Sequence, residues 1–161
     1  MTTGRGCGVC WVLLALLCAL VAGIGYRLIG GAPTVTASDG RAEIALAAAD
    51  RDLVLAEMRA FLGAVQGITE ALTREDLTAV AAQARPMGLA AMGQVPPTLM
   101  QALPLEFKTL GRSVHADFDQ LALDAEEVGD AAHGLHQLSA ILSKCVACHA
   151  TYRLTVAKEA R

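Results

Sequence analysis

From residue 131 onward the chain repeats at a strict helical spacing. Ala131, Leu135, Leu138, Leu142, Cys145, His149, Tyr152 and Val156 follow one another at steps of 4, 3, 4, 3, 4, 3 and 4. That rhythm keeps side chains on one side of an α-helix and suits no strand. So long a one-sided helix needs other helices to cover it. Val54, Met58, Phe61, Val65, Ile68 and Leu72 form such a stripe, and Phe107, Leu110, Val114, Phe118, Leu121, Ala125 and Val128 form another. An alanine-rich helix from about Arg74 to Arg85 lies between them, opened by "TRED" as a capping box with Asp76 in place of the usual Glu.

The punctuation agrees. Pro86, Pro96 and Pro97, with Gly88 and Gly93, break the next stretch into a loop, and Pro104 suits the first turn of the third bundle helix. Gly129-Asp130 marks the turn into the last helix, which the pattern carries to about Ala157. No alternating strand pattern and no internal repeat is visible. The expected fold is all-α: an antiparallel four-helix bundle over residues 42–161. "GGAPTVTASDGR" at 30–41, small, polar and breaker-rich, reads as a tether before it.

Residues 1–29 are of another kind. Between Arg5 and Arg27 lie the uncharged residues "GCGVCWVLLALLCALVAGIGY". As a helix they rise about 30 Å, the thickness of a bilayer's hydrocarbon core. Trp11 and Tyr26 fall near the two ends, where amphipathic rings settle. This predicts a single N-terminal transmembrane helix. A cleaved secretory signal is the competing reading, although no A-x-A cleavage site stands out. Either way the rest is exported, to the periplasmic face of a bacterial inner membrane or, after cleavage, to the soluble periplasm. The exported part from residue 31 carries 11 basic and 16 acidic residues, a net of −5. No basic run or basic–aromatic interleaving is present, so nucleic acid is an unsuitable partner.

Of the five cysteines only Cys145 and Cys148 lie beyond the apolar segment, too close together for the usual secreted disulfide framework. They belong to "CVACH", Cys145 to His149. A thioredoxin-like pair would open a helix after a strand, and here the pair lies deep in a helical pattern. Structural zinc needs four ligands, usually two separated pairs, and no second pair exists outside the apolar segment. Two cysteines and a histidine meeting by chance in a core is the bland alternative. Covalent haem c fits every residue. Two thiols add across the porphyrin vinyl groups, and the histidine that follows reaches iron through Nε2. Only twelve residues follow His149 and none is Met, so a second axial side chain must come from upstream.

"CVACHATYR", in the last helix of a four-helix pattern, resembles the class II cytochromes c, the cytochrome c′ family. The resemblance spans about residues 43–157, with specificity only in the C-terminal motif. It implies one haem c with its iron, Cys145 and Cys148 as thioether attachments and His149 as proximal ligand. It also implies Arg153 as a basic neighbour of the haem; by spacing alone Arg153 reads equally as a solvated arginine on a terminal turn. In that family the first bundle helix covers the sixth coordination face, with Met in a low-spin subset and an apolar residue in the five-coordinate members. That points to Met58 as a distal ligand, against the alternative that Met58 is ordinary core. Pairing through the first helix is common in the family, so a homodimer is a further expectation.

Other candidates rank lower. Met87, Met92 and Met100 fall in the broken connection, and His115 sits beside the third stripe at a position expected to be partly exposed. His133 and His136 read as solvated. Cys7 and Cys10 have Trp11 where a haem motif needs His, and read as incidental or lipidated thiols. With no acid–base or nucleophile constellation in view, an enzyme is not expected. Two functions remain open at this point: a membrane-tethered one-electron carrier meeting redox protein partners, or a five-coordinate protein binding NO or CO.

Overall fold

The computed structural model describes residues 4–157, which are mostly helical. Six α-helices run as α1 (Gly4–Gly30), α2 (Ala48–Thr73), α3 (Leu77–Ala84), α4 (Pro97–Ala102), α5 (Leu105–Glu127) and α6 (Ala131–Thr151). Short 3₁₀ turns at Arg85–Met87 and Leu89–Gln94 join α3 to α4. Three strands complete the described residues: β1 (Val35–Thr36), β2 (Ala42–Leu46) and β3 (Tyr152–Val156).

Within α1, residues Gly8–Tyr26 form a helix long and apolar enough to cross a membrane. Its large side chains, from Val9 to Ile24, lie open rather than against the rest of the chain. That is what a membrane anchor or a signal sequence presents.

Two apolar clusters hold the remainder. In the first, Ile68 of α2, Val80 of α3, Phe118 and Leu121 of α5 and Leu138 and Ile141 of α6 are all but fully buried. Burying one such large side chain stabilises by roughly 1.5–3 kcal/mol. In the second, Ile44 and Leu46 of β2, Val54 of α2, Leu99 of α4 and Leu103 gather, with Phe107, Tyr152 and Leu154 packed against them. The direction of each helix follows from this division. α2 and α5 run from the second cluster into the first, and α6 returns from the first to the second.

The all-α expectation is corrected by a three-stranded sheet, ordered β1-β2-β3. β2 pairs antiparallel with β1 and parallel with β3. The periodic pattern carries the last helix to Ala157, but the helix stops at Thr151, where Tyr152 turns extended at φ −118 and ψ 151. The physical reason is side-chain burial: leaving the helix lets Tyr152 and Leu154 cover Ile44 and Leu46 at the end of the molecule. Within the tether residues 30–41, Val35–Thr36 form β1, and α2 begins at Ala48 rather than near Glu43. Thr73 closes α2 instead of capping the next helix. Asp76 is the cap, accepting a hydrogen bond from the Ala79 amide at 3.0 Å. Asp130 caps α6 in the same way through the Ala132 and His133 amides.

Candidate functional site

The inward line of α6 is shifted one position from the one the periodicity suggests. Gly134, Leu138 and Ile141 are buried, and Cys145 and Cys148 are half-buried. Leu135 is 56% exposed and Leu142 40%, and His149 is exposed too. Both spacings fit a 3.6-residue turn, and what separates them is which neighbour each flank meets. His133 and Gln137, on one flank, bond Asp124 of α5, and Lys144 pairs with Asp117 of α5. Leu135, Leu142, Val146 and His149 occupy the opposite flank and are exposed.

The two helices close on each other at one point. A Cβ added to Gly134 would stand 3.0 Å from Leu72 Cδ2, so glycine is what lets α6 approach α2 there. Moving away from that contact along antiparallel helices at about 1.5 Å per residue sets Phe61 level with Cys145, Met58 with Cys148 and Val54 with Tyr152. The packing agrees: Phe61 and Cys145 lie against the first cluster, Val54 and Tyr152 in the second. Met58 and Cys148, both half-buried, stand at the junction of the two. Beside this junction the flanks carry exposed apolar side chains, Leu62 of α2 at 71% and Val146 of α6 at 69%.

Burial pushes the Cys145 thiol up, and burial, then the neighbouring Cys145, pushes Cys148 up as well. Thiols so held stay protonated at neutral pH, the reverse of the lowered thiols of dithiol redox enzymes. The His149 ring makes no hydrogen bond to the described residues, while its backbone carbonyl accepts one from Arg41 Nη1 at 3.4 Å. The set therefore offers two adjacent thiols on one face, a ring nitrogen free to donate its lone pair, and an apolar flank beside them. Among the described residues no group of three or more His, Cys, Asp or Glu converges to hold a bare metal ion.

Arg153 is partly exposed and does not lie on a helical turn. It lies on β3 in register with Glu43, with its guanidinium 3.7 Å from Glu43 and 3.7 Å from Asp39. Arg41 went unnoticed in the sequence. It bonds Asp39 at 2.9 and 2.7 Å and also donates to the carbonyls of His149 and Tyr152, both at 3.4 Å. A cation there meets the negative end of the α6 dipole. The carbonyls it reaches lie more than a hundred residues away, and no local pattern announces that.

His115 is a second correction: it is 6% exposed rather than partly open. Its Nδ1 donates to the Met87 carbonyl at 2.7 Å, Nε2 lies 3.5 Å from Glu57, and its ring packs on Phe61. Burial pulls its pKa down, but Glu57 and the Met87 carbonyl together raise it above the usual histidine value. With both nitrogens engaged it is a structural link between α2 and α5. His133 pairs with Asp124 at 3.0 Å, and His136 is exposed. Met87 packs on the first cluster; Met92 and Met100 are half-buried in the connection. Cys10 is exposed on α1, and the Cys7 side chain lies outside the described residues.

Compared with protein-family models, curated proteins and solved structures, the chain matches none.

Proposed function

We propose that this chain is a membrane-tethered monohaem c-type cytochrome that carries single electrons on the periplasmic face of the membrane. Its haem domain is a four-helix bundle of the class II cytochrome c kind, with α3, its 3₁₀ extension and α4 together standing for the second helix. The observation that carries the reading is that Cys145 and Cys148 are both half-buried on α6 and are followed at once by His149, whose ring makes no hydrogen bond to the described residues.

The residues fit the group. Cys145 and Cys148 would hold the porphyrin through two thioethers, His149 would give iron its proximal nitrogen and Met58 its distal sulfur. Haem iron with His and Met ligands supplies one-electron chemistry at a raised potential. The chain's own part is positioning. Ile141 and Leu138 fix the thiol face of α6 against the core, and Phe61 packs beside it from α2. Leu62, Leu135, Leu142 and Val146 give the flanks an apolar surface, which limits water at the site. Arg41 holds the helix end to which His149 belongs. The acidic domain favours partners with a basic face, in salt-sensitive association.

The test is the absorption spectrum of the reduced full chain, made with haem c maturation machinery, before and after CO. The wild-type spectrum is expected to stay unchanged, and Met58→Ala is expected to bind CO. A wild-type protein that binds CO at once would overturn electron carriage in favour of gas binding at an open sixth site.

A further inference from the structure

The segment after α1 is built as a collar rather than a leash. Gly31 has φ +72, and a Cβ there would stand 2.0 Å from the Leu103 carbonyl oxygen. The chain leaving α1 therefore lies directly on the backbone that joins α4 to α5, in a conformation glycine adopts without strain. A cleft at the same joint is lined by Tyr26, Gly31, Pro33, Pro104 and Glu106. Only residues 31–34 separate α1 from β1, a reach of about 14 Å at full extension. β1 is bonded to β2, and β2 to β3, which follows α6 without a gap. Arg41, between β1 and β2, bonds the last carbonyls of α6, and Asp39 and Glu43 hold Arg153. Apart from the exposed residues 32–34, the links from the end of α1 to the end of the CxxCH helix are backbone pairing, ion pairs or close packing.

We infer that this collar seats the domain on the bilayer with its sheet end down, so that the His149 end of α6 faces the lipid surface and meets a redox partner confined to the same membrane. The inference rests on α1 staying attached and on the haem reading above. The opposite end, with the α5–α6 turn at Gly129-Asp130, stands about 30 Å away along the 21 residues of α6.

The experiment uses the full chain in phosphatidylcholine vesicles. Benzoylphenylalanine placed at Glu106 or Ala157 is expected to cross-link lipid on illumination, and at Glu127 to give none. A flexible Gly/Ser insert of about twelve residues between Pro33 and Thr34, with a root-mean-square reach of about 20 Å, is expected to abolish the cross-links. The same insert is expected to slow haem oxidation by a lipid-anchored ferrocenium several-fold while leaving oxidation by soluble ferricyanide unchanged. Equal cross-linking at both ends, loss of α1 from the mature chain, or an insert without effect on either readout would overturn the inference. A colourless chain that still cross-links lipid at one end alone would support the collar and refute the haem reading.

Discussion

Cys145 and Cys148 are separated by two residues and His149 follows Cys148 directly, yet the fold treats them differently. The thiols fall half-buried on the core side of α6, and the ring falls on an exposed flank. If both sulfurs bind one porphyrin, Cys145→Ser and Cys148→Ser should each lower covalent haem stain on a denaturing gel, and the double variant should abolish it. Lys144→Ala, four residues from Cys148 and paired with Asp117, should leave the stain intact. The proposed chemistry of this site rests on five consecutive letters, because haem c attachment would require that spacing. The facing of the ring was not. Steps of 3 and 4 draw the 135–142–149 line and the 134–138–141 line equally well, and only the partners of each flank decide between them. Arg41 was invisible for another reason, since its role depends on carbonyls brought close by tertiary folding.

At the scale of elements, the first cluster sets how well the thiol face is held. Ile141, fully buried one turn before Cys145, should cost about 2–5 kcal/mol as Ile141→Ala, read from urea unfolding. The sheet gives a prediction with a sign. The Arg41 hydrogen bonds hold the Asp39 carboxyl below its ordinary range, with Arg153 adding to the effect. A depressed carboxylate contributes stability above its unfolded value of about 3.9, and loses it as pH falls through the depressed value. Hydrogen exchange of the β3 amides should therefore quicken on acidification below that range, and Arg41→Ala should remove this dependence on acid. The helices were largely legible, since α2, α5 and α6 each bury a 3.6-period stripe. The strands were not. β1 has two residues and β2 has five, too few for alternation to stand out, and β3 continues a helical rhythm without a break in the sequence.

The whole molecule joins an apolar α1, a net-acidic domain and a site at the junction of two cores, at the end of the domain nearest α1. Its broad class could be read from composition: 54% apolar residues and a mean hydropathy of +0.44 require the long uncharged segment. How that segment meets the domain could not, because it depends on Gly31 lying against Leu103. The central claim is that α6 carries a porphyrin through its own two thiols. The most direct measurement is the visible spectrum of the full chain, made alongside haem c maturation machinery, after denaturation and extraction with acidic organic solvent. The account predicts that the haem absorption stays with the polypeptide. A colourless polypeptide, or colour that leaves with the solvent, would contradict it.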